Sequence, residues 1–430
     1  LSSKYNLAYF ARTADAMPLY RSWSKEGGRT DAAGKPSARP AFPSWALQWS
    51  AEGNMLYNTV FLSVEKLQDE ERPHVLWQTK LDAKVTMKPV PVLNHVNGER
   101  EVFVQDDNYT VYLINDVGRI LWKQPVDGKI NSEVYQVDLF KNGKLQYLFS
   151  TPDKMYLIDR NGNAAGTFPV ALRSSSTQGL TLFDYDQNRD YRIFVPGDDR
   201  QVYLYGLDGK LVQGWAPQKA DKPIVSKVRH FRVGNKDYIV FADCHRLYIL
   251  DRKGRERVKV PSVFDLPEQL DLVLSRRDGQ AVLVFPGKDG AVHTVDFSGH
   301  AKTFRMEGVA DDFGMNVADV NGNGADECVV TSGEYLLVYT LDGKKVSDER
   351  LEGRMLDFPY IYRFSGTDTR IGVLDLQAAE MLLLSPDGVL SKGFPIAGDS
   401  PFSIVFSGSD GFFLFAGTDG GSGIKYRVQR

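Results

Sequence analysis

The chain of 430 residues is poor in the residues that usually announce chemistry. It has two cysteines, Cys244 and Cys328, in strand-like segments of different repeats. Two unpaired thiols are therefore expected rather than a disulfide, and no CxxC pair exists for a metal or redox centre. The six histidines, His74, His95, His230, His245, His293 and His300, fall in no HxH or HExxH spacing. GxSxG, P-loop and dinucleotide fingerprints are missing from any usable context. No run of eighteen apolar residues occurs, which excludes a helical membrane span. A formal net charge of −3 leaves no basic footprint for nucleic acid. The chain starts at Leu1 without Met, which reads as a processed chain or a fragment, so a missing leader says little about compartment. What remains, 42% hydrophobic and 25% charged residues, is the composition of a folded soluble protein rather than a disordered one.

What is present is a repeat. An apolar strand, a turn ending in Gly and a second strand recur as VYLINDVGRILWKQPV from Val111, MYLIDRNGNAAGTFPV from Met155 and VYLYGLDGKLVQGW from Val202, and onward to MLLLSPDGVLSKGFPI from Met381. The turn glycines are Gly118, Gly162, Gly209, Gly254, Gly299, Gly343 and Gly388, spaced by 44, 47, 45, 45, 44 and 45 residues. Tight hairpin turns need positive φ, which glycine adopts without a Cβ penalty. Two further strands precede each hairpin, so each unit has four, A to D. Four-stranded units at this period predict an all-β chain folded as a β-propeller. Seven units are complete within residues 82–396. FSIVF from Phe402, FFLFAG from Phe412 and IKYRV from Ile424 supply A, B and C strands without a D, while VLWQTKL from Val75 resembles the D strand ILWKQPV from Ile120. An eight-bladed ring closed by an N-terminal strand follows; the alternative is seven blades with an unrelated cap. Residues 74–430 form the propeller. Residues 1–73 read as a small N-terminal β segment: a strand from Tyr5, a loop over 24–45, a hairpin turning near Glu52-Gly53-Asn54, and the charged linker KLQDEERP. It is either the remnant of a preceding domain or a plug on the propeller. Tyr112, Tyr156, Tyr203 and Tyr248 recur at one position of strand C and are expected in the core between blades.

Three constellations could carry chemistry. DVNGNGADE, Asp319 to Glu327, falls in the A–B turn of blade 6. Calcium takes several oxygens from a flexible loop. Asp319, Asn321 and Asn323 alternate, Ala325 could add a backbone carbonyl and Glu327 could close the site; a Gly/Asn turn without an ion is the other reading. DYDQNRD, Asp184 to Asp190, repeats the alternation in blade 3, but Arg192 takes the place of Glu327, which favours a self-bonded turn. On the opposite face, the B–C turns carry Asp106, Asp107, Asp153, Asp198, Asp199, Asp243, Asp289 and Asp419, with His245 beside Asp243 and Cys244. This predicts an acidic rim around the channel mouth that could attract cationic ligands. The bland reading is that Asp is simply a favoured turn residue.

VYLINDVGRILWKQPVDG, Val111 to Gly128, resembles the repeats of PQQ-type, quinoprotein-like propellers, with Trp77, Trp122 and Trp215 matching their docking tryptophans. That resemblance embraces quinone-dependent dehydrogenases and the non-enzymatic propeller lipoprotein of the outer-membrane assembly machinery. The dehydrogenases use vicinal cysteines, which are missing here, so the resemblance implies the repeat without PQQ. DVNGNGADE is similar to the calcium loops of integrin-like FG-GAP and VCBS repeats, with Asn323 departing from the usual Asp. The whole chain resembles the C-terminal part of an uncharacterised family of bacterial envelope proteins, in which a domain of unknown function precedes the propeller. These resemblances imply an extracytoplasmic (periplasmic or cell-surface) protein, calcium-binding at one turn. The reading is a non-catalytic, monomeric scaffold with a protein or glycan partner. The alternatives are an enzyme, a quinoprotein-like oxidoreductase or a lyase or hydrolase at the acidic channel mouth, and a structural spacer.

Overall fold

The computed structural model describes residues 6–12, 44–52, 55–63, 73–277, 279–406, 411–418 and 420–428. The chain divides into two units, Leu1–Glu71 and Arg72–Arg430. The first holds a three-stranded antiparallel meander, Asn6–Arg12, Ser44–Glu52 and Met55–Ser63. Its hairpin register closes on Glu52 opposite Met55, as the turn signal demands. The loop expected over 24–45 lies almost wholly outside the described residues, as does most of the charged linker.

The second unit is an eight-bladed β-propeller. Blade 1 runs through strands Val90–Leu93, Arg100–Gln105, Thr110–Ile114 and Ile120–Pro125, paired in that order. The same A-B-C-D order recurs around the ring, and the A strands of neighbouring blades approach one another at the axis. Blade 8 takes Ser403–Phe406, Phe412–Thr418 and Ser422–Val428 from the C-terminus and His74–Lys80 from the other end. His74 faces Arg427 and Lys80 faces Ser422, so the N-terminal strand closes the ring and the seven-bladed alternative falls away.

Burial follows position in the blade. Middle strands such as Gln146–Ser150 and Glu327–Ser332 are buried throughout, because both faces meet other blades. Outer strands alternate, as Ile120–Pro125 does. Each core lies between blades: Val137, Leu148 and Met155 of blade 2 pack with Ile193 and Val195 of blade 3. Trp77 of blade 8 covers Gly118 of blade 1, and its indole N–H donates to the Asp116 carbonyl at 2.8 Å. Trp122 of blade 1 repeats this on Gly162, donating to the Arg160 carbonyl at 2.9 Å. A Cβ on either glycine would strike the indole, and both have positive φ, so Gly serves docking as well as turning.

Two expectations need correction. Trp215 does not cover the turn glycine of the next blade: its N–H donates to the Val202 carbonyl of its own blade at 2.9 Å, and Pro217 covers Gly254 instead. Blade 3 has three strands, its fourth reduced to a single bridge between Tyr205 and Leu211. The cause is local: Gly214, Pro217 and Pro223 interrupt the segment, and proline offers no ladder donor.

Candidate functional site

The blade 6 turn gathers the residues expected to hold calcium, and it gathers them around backbone donors. Asp319 Oδ1 accepts the N–H groups of Gly322 and Asn323 at 2.8 and 3.1 Å, and Oδ2 accepts that of Gly324 at 2.9 Å. Asn321 Oδ1 accepts from Asn323 N, and Asn323 Oδ1 accepts from Ala325 N at 2.7 Å. Glu327 is buried; its oxygens accept from Val320 N at 3.2 Å and Asn321 Nδ2 at 2.7 Å. Burial pushes the Glu327 carboxyl above its ordinary pKa, with Asp319 adding to the rise. Among the described residues no cationic side chain touches Glu327. Four side-chain oxygen donors on one curled turn are the chemistry a hard cation takes.

Blade 2 builds the same turn without a carboxylate at the closing position. Asp138 accepts Asn142 N and Gly143 N at 3.0 and 2.8 Å, and Gln146 Oε1 accepts Leu139 N at 2.9 Å. Gln146 follows Asp138 by eight residues, as Glu327 follows Asp319. The spacing is thus a turn-closing device that works with a neutral amide. In blade 3, Asp184 accepts Asn188 N and Arg189 N, and Arg192 pairs with Asp190 at 2.6 Å.

The B–C acids do not gather into one site. Asp106 and Asp243 are 2% and 0% exposed, so they are turn-capping groups rather than a surface rim. Asp106 accepts Asn108 N, Thr110 N and the Tyr112 hydroxyl; Asp243 accepts His245 N, Arg246 N and the Tyr248 hydroxyl. Each Tyr hydroxyl also accepts a backbone N–H from the preceding D–A connection, Asp82 for Tyr112 and Asp221 for Tyr248. Tyr112 and Tyr248 therefore tie two turns together, beyond filling the core. The Tyr203 hydroxyl donates only to Asp199 of its own turn at 2.6 Å, while that of Tyr156 donates to Asp127 of the preceding D–A connection at 2.9 Å and accepts its backbone N–H. Asp107, Asp153, Asp198, Asp199 and Asp289 are exposed. Asp107 accepts the Thr86 hydroxyl, Asp153 the Ser175 hydroxyl and Asp198 Thr177 N. His245 is exposed, its Nδ1 3.2 Å from the Phe264 carbonyl, while Asp243 turns inward, so the pair does not converge. Asp419 lies outside the described residues. Lys154, Arg200, Arg246 and Lys288 stand in the same turns, which makes the face mixed in charge rather than acidic.

The axis holds a charged group the sequence did not disclose. Arg229 of blade 4 donates to Asp271 of blade 5 at 2.8 Å, and Glu133 of blade 2 stands 3.7 Å from Lys227 and 3.9 Å from Arg229. Across the channel, Lys88 Nζ lies 3.8 Å over the Tyr360 ring. A cleft of about 320 Å³ opens where blades 5 and 6 meet the channel, lined by Asp271, Lys288, Asp311, Asp312, Asn316 and Phe358. Asp271 is already neutralised by Arg229, and Asp311 and Asp312 are exposed. A second cleft of about 330 Å³ lies beside the thin blade 3, between Tyr185, Arg192, Trp215 and Arg252. Among the described residues no three His, Cys, Asp or Glu side chains converge as a metal centre, and Cys244 and Cys328 are free thiols. The two thiols lie in blades 4 and 6 and form no vicinal pair. No helix of the described residues is long and apolar enough to cross a membrane.

No protein-family model matches the chain, and no curated protein matches it. Among solved structures it is similar to BamB from Moraxella catarrhalis, at 15% identity and a TM-score of 0.53, over 83% of this chain and 100% of that one. It is also similar to BBS1N in complex with ARL6DN, in a mercury-soaked crystal (11% identity, TM-score 0.50, 84% and 98% covered) and a lead-soaked one (12%, 0.50, 83% and 97%). At these identities the likeness shows the fold alone, a β-propeller.

Proposed function

We propose that the ring is a non-catalytic, monomeric scaffold that binds a protein partner through the face carrying its A–B turns. The observation that carries this is a pair of exposed apolar side chains on adjacent turns. Val96 of blade 1 is 74% exposed and Phe140 of blade 2 is 60% exposed. The two turns are fixed to each other, since Leu145 N donates to His95 Nδ1 at 3.3 Å and Gln136 bonds both backbone groups of Leu93. Rigid turns presenting apolar side chains lower the entropy cost of docking. The BBS1N structure, a propeller of similar fold, is a complex with another protein. A place in the bacterial envelope, outside the cytoplasm, rests on the resemblance of the sequence to envelope proteins. The test is affinity capture from envelope extract with the full chain and with the Val96→Asp/Phe140→Asp variant. The variant is expected to lose at least about tenfold in partner binding, or roughly 1.4 kcal/mol, with its unfolding midpoint unchanged. Equal capture by both proteins overturns the surface. Capture of a glycan instead moves the partner to that class, and no capture with turnover of a sugar or alcohol panel moves the reading to an enzyme at the channel mouth.

The same proposal includes a structural calcium ion in the blade 6 turn, favoured by the buried Glu327 carboxyl with no cation on it. Asp319, Asn321, Asn323 and Glu327 would hold it by their side-chain oxygens, with Ala325 offering its carbonyl. At a hundred times Kd, calcium is expected to stabilise the fold by about 2.7 kcal/mol. Glu327→Gln should abolish this gain while leaving calcium-free stability nearly unchanged, because Gln146 closes the equivalent turn in blade 2. No binding at millimolar calcium, by calorimetry, removes the ion from the reading.

A further inference from the structure

Blade 3 is the one blade described with three strands, and its outer edge is where the ring has room. After the single bridge between Tyr205 and Leu211 the chain leaves the sheet. A cleft of about 330 Å³ opens there, between the A–B turn of blade 3 and the C–D turn of blade 4. Gly214 lines it, and a Cβ on that glycine would meet nothing within 4 Å. The apolar part of the lining is Leu204, Val212 and Trp215. Trp215 is held firmly: its N–H is committed to the Val202 carbonyl, and its ring meets Phe194 edge-to-face at 5.0 Å. Trp77 and Trp122 are spent on turn glycines of the next blade, whereas the half-buried Trp215 indole lines a cleft.

The polar part of the lining is arranged in pairs. Arg192 donates to both oxygens of Asp190, at 2.6 and 2.8 Å. Arg252 donates to both oxygens of Asp186, at 3.0 and 3.3 Å, and lies 4.3 Å over the Tyr185 ring. Bidentate pairing fixes these side chains while leaving carboxylate lone pairs and guanidinium N–H groups for a ligand. Gln213 and Lys253 are exposed at the same cleft, and the buried Tyr185 hydroxyl has no partner among the described residues. Each simple class of ligand meets an obstacle here. An anion faces Asp186 and Asp190, a cation faces Arg192, Arg252 and Lys253, and a wholly apolar ligand would strip water from all five charges. A polyol with an apolar face meets none, because every hydroxyl both donates and accepts, and ring C–H groups carry the partial positive charge that an aromatic face attracts. We propose that the cleft beside blade 3 is a binding site for a neutral saccharide. Trp215 is the platform for a pyranose ring, and the Arg192–Asp190 pair and Gln213 take its hydroxyls. The volume lies at the small end of ligand pockets, roughly 300–1,000 Å³, which suits one or two sugar units rather than a long chain. The site lies between blades 3 and 4, apart from Val96 and Phe140, and does not rest on a protein docking there.

The experiment is saturation-transfer NMR on the full chain with methyl β-glucoside, N-acetylglucosamine and lactose, and with benzoate as the anionic control. At least one sugar is expected to receive saturation, strongest at the C–H protons of one ring face, with an affinity that added salt leaves unchanged. Trp215→Ala should weaken it by at least about tenfold. Gln213→Trp, at an exposed position, should fill the cleft and lose binding to the same extent with the unfolding midpoint retained, so it decides the matter if Trp215→Ala does not fold. Lys253→Ala should change the affinity for a neutral sugar by less than about threefold. The Val96→Asp/Phe140→Asp variant should bind sugar as the parent does, which separates this site from the protein-docking surface. Saturation of none of the sugars overturns the proposal. So does binding that survives Gln213→Trp, or binding of benzoate alone that disappears with Lys253→Ala.

Discussion

Deleting His74–Lys80 is expected to destabilise the propeller by more than about 5 kcal/mol, read as a large fall in the urea midpoint with a smaller m-value. The strand does three things at once. It pairs along Ser422–Val428, from Ser422 opposite Lys80 to Arg427 opposite His74. It carries Trp77 onto Gly118 of blade 1. And it leads into Leu81 and Val85, which pack with Phe413 and Phe415 of blade 8 and with Val102, Tyr112 and Ile114 of blade 1. Without it, a blade edge opens and the interface between first and last blades loses its outer half. The graded variants separate these parts. Trp77→Phe keeps much of the packing with Phe415 but loses the N–H donated to Asp116, so about 1 kcal/mol should go. Trp77→Ala removes the ring as well and should cost about 2–4 kcal/mol, less than a fully buried Trp because the side chain is half-buried. Trp122→Ala, with the same dock between blades 1 and 2, should cost about as much. A deletion that left stability untouched would mean the ring does not depend on its clasp.

The sequence made the ring legible because its period is written in backbone demands. A C–D turn needs positive φ whatever packs around it, so Gly118, Gly162, Gly209, Gly254, Gly299, Gly343 and Gly388 keep a spacing that survives divergence elsewhere. The clasp was readable for a related reason: Trp77 and Trp122 perform one task at two joints. Trp215 misled because the identity of a side chain does not fix what it covers, and the prolines after it took the dock away. The site was far less visible. Lys88, Glu133, Arg229, Asp271 and Tyr360 come from five blades and meet only because inner strands converge on one axis. Nothing in their sequence separation marks that meeting. The B–C acids were visible as a set, but alternation along a strand does not say whether a turn acid faces water or its own backbone. An Asp followed within six residues by the recurrent Tyr, as in Asp106–Tyr112 and Asp243–Tyr248, was the available signal.

Asp243 gives the sharpest test of that distinction. Its carboxylate accepts four donors: His245 N at 2.8 Å, Arg246 N at 2.7 Å, the Tyr248 hydroxyl at 2.9 Å and Lys222 N at 3.1 Å. The residue is fully buried, so no water can replace it without reorganising the turn. Asp243→Ala strands all four donors and should cost about 3–5 kcal/mol by chemical unfolding. Asp243→Asn keeps the shape but turns an NH₂ toward two of them, and about 2–3 kcal/mol is expected. Tyr248→Phe removes one donor and leaves Asp221 N without its acceptor, for about 1 kcal/mol. Asp153→Ala and Asp198→Ala, on exposed carboxylates of the same face, should stay within about 1 kcal/mol. Asp243→Ala should also leave binding through Val96 and Phe140 unchanged below its melting range, since those turns lie on the opposite face and on other blades. If Asp243→Ala were instead neutral in stability and lost a ligand, the carboxylate would belong to a recognition rim. The four donors converging on it argue that its work is to hold the turn.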